Sequence, residues 1–295
     1  MTEAVLAREL ASERRPLRAV AVFLLNWACI LSVFDAVRHV PTWPAFTCAF
    51  LFMSVEQHCL GLWMHEGGHW LIAADHSLND VIVTLFLSGP LFIPLNAYRR
   101  RHLLHHGHLG TALDTKPVIF TRVDGAHLGM FFVKNCLGLQ FAHIAIEYFW
   151  SPRATPMKSG RGWVKDVAAI AAVQLLLVGL IALVAPWHYY LWFWMLPWLT
   201  VNRFIAGLRS VVEHQPMRGE VHPFVRPLAP TLFDRLVFCR AGFQYHWLHH
   251  RYPNVPFFNL RKIDAASGES ANERYSYTAV LRMLILGASQ VAPAA

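Results

Sequence analysis

Charge is what this 295-residue chain has least of. Only 15% of its residues are Asp, Glu, Lys or Arg, against roughly 25% in an average protein. Hydrophobic residues make up 55% and the mean hydropathy is +0.35, which argues against a soluble domain and for a polytopic membrane protein. Cysteine is scarce as well. The five (Cys29, Cys48, Cys59, Cys136 and Cys239) are scattered and form no C-x-x-C pair, so neither a zinc knuckle nor a disulfide framework is indicated. There is no four-cysteine iron site and no His-Pro-Gly-Gly haem motif, no internal repeat and no low-complexity segment. The first apolar run is long and no small-x-small site follows it, so no cleaved signal peptide is expected.

Four apolar stretches are long enough to cross a bilayer, which takes about 20 residues. They run over residues 19–37, 43–64, 167–185 and 187–208. Of 26 Lys and Arg residues, only Arg38 falls in an outer loop if the N-terminus is cytoplasmic, a strong positive-inside pattern. The aromatic cluster Pro186-Trp187-His188-Tyr189-Tyr190 suits a membrane interface. The stretch Val81–Tyr98 is apolar but broken by Gly89-Pro90 and Pro94, and a proline inside a helix removes a hydrogen bond and clashes. A crossing there would also put His65 and His102 on opposite faces of the membrane. It is therefore expected as a re-entrant or surface-lying helix. Residues 128–150, with Lys134, Asn135, Gln140, His143 and Glu147 interleaved, read as an interfacial amphipathic helix. The expected fold is all-α: about four transmembrane helices with a cytoplasmic helical cap that holds a histidine-rich di-metal site. The expected division is an N-terminal tail at 1–18, a membrane domain at 19–264, and a C-terminal tail at 265–295 with a short amphipathic helix.

Histidine, by contrast, is abundant, with 17 copies, and it clusters. The stretch HEGGHW at 65–70 fits H-E-x-x-H, in which two histidines hold zinc and a glutamate activates water. It fits the looser H-x-x-x-H equally well. RRRHLLHHGH at 99–108 and QYHWLHHRYP at 244–253 each contain H-x-x-H-H. Helical positions i, i+3 and i+4 share a face, so His102, His105 and His106 face one point, as do His246, His249 and His250. Neutral imidazole is a ligand for iron, zinc, copper or nickel. With His65 and His69 these make eight candidates, more than the about six ligands one ion takes, so two metals are indicated. His214, in RSVVEHQ, is a ninth. A single-zinc protease would leave seven clustered histidines unused. A metal carrier would need polar residues deep in several spans, and those are few.

These boxes, in their order and spacing, resemble the membrane-bound fatty acid desaturase and hydroxylase superfamily. The likeness extends to the arginines before the second box, the tyrosine before the third, Tyr252-Pro253-Asn254-Val255-Pro256 after it, and the lone histidine of Glu213-His214. It implies two non-haem irons, with O2 as co-substrate, held by His65, His69, His102, His105, His106, His214, His246, His249 and His250. The activity it implies is insertion of a double bond into a fatty acyl or related lipid chain, with hydroxylation as the alternative. Acyl-CoA, acyl-carrier protein and phospholipid are the substrate forms it implies. The resemblance also implies a separate electron donor, a cytochrome b5, ferredoxin or rubredoxin with its reductase, and a basic cytoplasmic face suits an acidic carrier.

Around the ligands, His58, Glu66, His108, Asp114 and Glu213 are supporting candidates, because a metal-bound imidazole needs a partner for its second nitrogen. His58 lies inside a span with Glu56 and Gln57, where polar groups are costly. It is expected either beside the substrate channel or in a polar contact between helices. Arg99, Arg100 and Arg101 are candidates for an acidic substrate head or a partner, besides their role in topology and lipid contact. Nucleic acid is not an expected partner, since the cytoplasmic loops account for the net charge of +8. The expected location is a bacterial inner membrane with the metal site on the cytoplasmic side.

Overall fold

A computed structural model describes residues 3–116, 125–139, 161–215, 224–268 and 274–286. Among the described residues every regular element is helical, and the one β contact is an isolated bridge between Leu228 and Tyr275. Three helices are long and apolar enough to cross a membrane: Pro16–His39, Trp43–Gly68 and Val164–Val184, of 24, 26 and 21 residues. At about 1.5 Å per residue each matches or exceeds a hydrocarbon core of about 30 Å. Their starts follow from sequence. Pro16 and Pro44 occupy first-turn positions, where the missing N–H costs nothing. Thr42 caps the second helix by accepting from the Ala45 N–H at 3.4 Å.

The fourth expected span is not one helix. Between Trp187 and Leu208 the chain forms a π turn at Leu191–Met195, a short helix Leu196–Leu199, a break at Thr200, and then the helix Val201–His214. Pro197 supplies the reason. It offers no N–H to the preceding turn and its ring crowds that turn, and a widened π turn absorbs the mismatch.

The chain folds as two compact units. One comprises Arg15–Arg100 and Asn135–Arg203; the other comprises Met1–Arg14, Arg101–Lys134 and Phe204–Ala295.

In the first unit, polar side chains within apolar helices tie helix to helix. Asn26 donates to Glu56, Gln57 to the Trp194 carbonyl at 2.7 Å, and Asn202 to the Ser54 carbonyl at 3.2 Å. Each such bond in a lipid-embedded bundle contributes about 1 kcal/mol. Glu56 and Gln57, flagged beside His58, thus serve as contacts between helices, and His58 itself is buried. The Val81–Tyr98 stretch is not a continuous helix either. Helix His76–Val83 passes into a π turn at Thr84–Ser88, and a new helix starts at Leu95. The turn between them is buried: Gln174 donates to the Gly89 and Pro90 carbonyls at 2.8 and 2.9 Å, and Trp194 Nε1 donates to the Pro90 carbonyl at 3.1 Å.

In the second unit, the N-terminal helix Glu3–Leu10 packs on the helix Phe257–Ala266. Asn259 Nδ2 donates to the Leu10 carbonyl at 3.2 Å, and Lys262 pairs with Glu13 at 3.4 Å. Of the helix expected over 128–150, the described part spans Gly125–Cys136 and ends before Gly138 at φ 69°. Only glycine adopts that backbone without strain. Gln140, His143 and Glu147, and also His222, lie outside the described residues. His39, His76, His127 and His188 are exposed.

Candidate metal centre

The first histidine box belongs to the first unit. The helix Trp43–Gly68 runs out through it, and His69 is its C-terminal cap residue. His65 and His69 are both buried, with ring centroids 5.3 Å apart. The last carbonyls of a helix lack intrahelical partners, and here side chains supply them. Asn79 Nδ2 donates to the Gly67 carbonyl at 3.0 Å. Arg99 Nε donates to the Gly68 carbonyl at 3.0 Å and Nη2 to the Gly67 carbonyl at 3.3 Å. Asp80 fixes Arg99 from the other side at 3.0 and 2.5 Å, and the guanidinium lies 4.0 Å over the Trp70 ring. The two glycines of the box permit close approach: a Cβ on Gly67 would lie 2.2 Å from Val83 Cγ2, and one on Gly68 would lie 3.0 Å from Tyr98.

Arg99 is therefore not free to meet a substrate head. It is 6% exposed and its donors are used at the end of the first box. Arg100 is exposed, and Arg101 reaches the Thr115 carbonyl at 3.3 Å.

The second unit gathers the other seven box histidines. His102, His105 and His106 lie on the helix Leu95–Gly107, His214 ends the helix Val201–His214, and His246, His249 and His250 lie on the short helix His246–Arg251. Two sets form. In one, the ligand atoms of His102, His106 and His249 lie within 4.8 Å of one another; in the other, so do those of His105, His214 and His250. Glu213, His214 and His246 make an overlapping group with the same spacing. The two sets meet where the rings of His106 and His250 stack at 4.1 Å.

The nitrogen spacings test whether these residues fit a metal. Nε2 of His102 lies 3.1 Å from Nε2 of His106, His214 Nε2 lies 3.1 Å from His246 Nε2, and His246 Nε2 lies 3.2 Å from His250 Nε2. Two nitrogens at about 2.1 Å from one ion, at roughly a right angle, stand about 3 Å apart. His105 Nε2 is buried without a hydrogen-bond partner. Its Nδ1 donates to Asp114 Oδ1 at 2.8 Å, which leaves the Nε2 lone pair for a ligand bond. His214 repeats the device by donating from Nδ1 to the Phe224 carbonyl at 2.9 Å. The donor set fits.

Electrostatics agree. Burial, reinforced by the Lys116 charge, pushes His105 down to about 4 despite Asp114. Burial likewise holds His214, His246 and His250 well below the usual imidazole range. All are neutral at pH 7, the form that binds metal. Burial alone would raise Asp114. The His105 hydrogen bond and the backbone N–H groups of Lys116 and Gly110 outweigh it and keep the carboxyl below its ordinary value.

Glu213 is 1% exposed and accepts from Arg209 at 2.8 and 2.7 Å and from Tyr277 Oη at 2.7 Å. His108 is half-buried just past the helix end and joins neither histidine set. Glu66 is buried within the first box.

Three neighbours escaped the sequence reading. Arg209 stands i−4 from Glu213 on one helix, a pairing that the spacing alone could have suggested. Lys116, whose Nζ is 3.0 Å from His214 Nε2, and Tyr277 carry no local signal. Burial, with the Arg209 charge, brings Lys116 down to about 8.

A family model described as fatty acid desaturase matches residues 41–280. The chain belongs to the fatty acid desaturase family. Similar members are distant. A dihydrorhizobitoxine desaturase of Bradyrhizobium elkanii is 23% identical across 85% of this chain and 76% of that protein. An sn-1 acyl-lipid omega-3 desaturase (ferredoxin) of Nostoc sp. (strain 36) is 20% identical across 79% of this chain and 70% of that protein. A protein of the same description from Synechocystis sp. is also 20% identical, across 88% and 78%. The nine candidate ligand histidines all fall within the matched residues of this desaturase-family chain.

Proposed function

We propose that this chain is an O2-dependent di-iron oxidase of a bacterial inner membrane that introduces a double bond into a fatty acyl or related lipid chain. The observation that carries the reading is the pairing of two imidazole sets, with Nε2 spacings of 3.1 to 3.2 Å, in a chain of the desaturase family. His102, His106 and His249 would hold one iron and His105, His214, His246 and His250 the other, with His65 and His69 completing the nine candidate ligands. When bound, the irons together with O2 and two electrons supply the oxidising strength that an unactivated C–H bond demands.

The protein's own groups do the rest. Asp114 and the Phe224 carbonyl hold His105 and His214 in the tautomer that presents Nε2. The buried imidazoles stay neutral, and their burial excludes water. The reaction removes two hydrogens from adjacent carbons and reduces O2 to two waters, so two electrons and two protons must arrive from outside. Two of the relatives carry ferredoxin in their names, and a reduced ferredoxin is the proposed donor, which would meet the metal side on the cytoplasmic face. The arginine and lysine distribution supports that orientation.

The test is expression in a host membrane with a ferredoxin and its reductase, followed by mass spectrometry of the lipids and iron analysis of the purified chain. A new alkene and two irons per chain are expected. An alcohol without an alkene would make the chain a hydroxylase, and a single zinc would remove the oxidase reading altogether.

A further inference from the structure

Glu213 is the only carboxylate among the metal-capable groups of the described residues, yet its oxygens are already engaged. Arg209 forks onto both, with Nε to Oε1 at 2.8 Å and Nη2 to Oε2 at 2.7 Å. The Tyr277 hydroxyl donates to Oε1 at 2.7 Å. Oε2 then lies 3.7 Å from His246 Nε2, too far for a hydrogen bond but close enough to place a negative charge beside a ligand nitrogen. The carboxylate is thus oriented rather than coordinating.

Tyr277 comes from far along the chain, at the start of the helix Tyr277–Leu286. It is fully buried and stacks on Phe238 with centroids 5.3 Å apart and planes 8° from parallel. Val280 and Met283, one and two turns on, are also buried and dock the helix. Upstream, the Ala229 N–H donates to the Tyr275 carbonyl at 2.9 Å. On the opposite side the Arg209 guanidinium lies 4.6 Å over the Phe243 ring, and that ring stacks on His246 at 5.7 Å. His246 is therefore braced along two routes, one of which starts from the C-terminal helix.

We propose that Tyr277 is a positioning residue for the metal centre, acting through the Glu213 carboxylate on His246 and on the adjoining His214. The proposal rests on the metal-oxidase reading above. Arg209 alone leaves the carboxylate free to rock about its fork, and the Tyr277 hydroxyl fixes the remaining degree of freedom. The hydroxyl is also matched to an anion: with Glu213 ionised it donates a charge-assisted bond. The helix Tyr277–Leu286, expected as a short amphipathic helix of the C-terminal tail, is thereby part of the scaffold of the site.

The experiment uses the full-length chain purified in detergent, with cobalt(II) alone as the probe of affinity and of ligand geometry through its visible bands. Tyr277→Phe keeps the ring and its stacking and removes only the hydroxyl. It is expected to weaken cobalt binding about tenfold, the low end for loss of an outer partner of a ligand. The visible bands should shift even at full loading, and a purely structural contact would not produce that shift. Glu213→Gln should move the bands the same way with Tyr277 intact. Adding Tyr277→Phe to it should cause no further loss.

Unchanged affinity and bands in Tyr277→Phe, or losses that multiply in the double variant, would overturn the proposal and leave the oxidase reading standing. If Tyr277→Phe does not fold, unaltered bands in Glu213→Gln overturn it instead. A parent chain that binds neither cobalt nor iron overturns both.

Discussion

Replacing Arg99 by methionine tests the architecture of the first histidine box. The guanidinium holds the Gly68 carbonyl at 3.0 Å, shares the Gly67 carbonyl with Asn79, and is itself fixed by Asp80. Methionine fills similar volume but provides no donor. Gly67 keeps its bond to Asn79, so the main loss is one charge-assisted bond to a buried carbonyl, worth about 1.5–3 kcal/mol. The Asp80 pair adds little, because the Asp80 side chain is 36% exposed and regains water. The cost is then about 2 kcal/mol, or roughly 30-fold in the balance between a docked and a frayed last turn. That turn carries the N–H groups of His69 and Leu71, both bonded to the Glu66 carbonyl. Hydrogen exchange at residues 69–71 should speed up by about that factor, with metal retention by the purified chain falling alongside. Lysine at 99 restores charge without the fork and should recover only part of the protection. Exchange and metal retention at parental values in Arg99→Met would refute the clamp and return Arg99 to the pool of substrate-binding candidates.

Three further outcomes follow from the same geometry. Asp114→Asn leaves His105 with a neutral partner, and a metal titration should show affinity about 10- to 100-fold lower. Acidification should weaken the metal-free protein. His105 sits at about 4 in the fold against an ordinary 6.5, so the unfolded chain takes the proton first as pH falls through 6.5. Stability then declines down to pH 4 and levels off below it, by about 3 kcal/mol for this one group, and unfolding midpoints that stay flat across that window would contradict the burial argument. Gly67→Ala forces a Cβ to 2.2 Å from Val83 Cγ2. Overpacking of that kind costs about 1–3 kcal/mol, readable as a lower thermal midpoint, whereas Gly129→Ala, where a Cβ meets nothing within 4 Å, should be neutral or mildly stabilising.

What the sequence revealed of the site was whatever lies within one helical turn of a histidine. The i, i+3, i+4 spacing puts His102 and His106 together, and the structure then adds His249 from 143 residues beyond His106. Asp114 was legible because an acid in the loop after a ligand helix has few other places to go, and it accepts from His105. Glu213 was legible as the neighbour of His214. Tyr277 and Lys116 were not, because nothing in their own neighbourhoods marks them. Their roles exist only once separate helices have packed. The three long apolar helices followed from composition. The fourth run is not one continuous helix because hydropathy does not register the backbone demand of Pro197, which the chain meets with the π turn at Leu191–Met195.

The arginine run shows why adjacency in sequence misleads. Read as a string, Arg99-Arg100-Arg101 is one basic patch with one role. On a helix, successive residues point about 100° apart, so three neighbours face three environments. Arg99 turns inward to carbonyls and Asp80, Arg100 faces outward, and Arg101 points toward the loop after its own helix, where the Thr115 carbonyl accepts from it and the Thr115 hydroxyl donates to the Arg101 carbonyl at 2.6 Å. A run of identical residues on a helix is therefore three separate hypotheses. Of these, only Arg100 has the exposure that recognition of an acidic head group requires, and it shares its charge with Asp166.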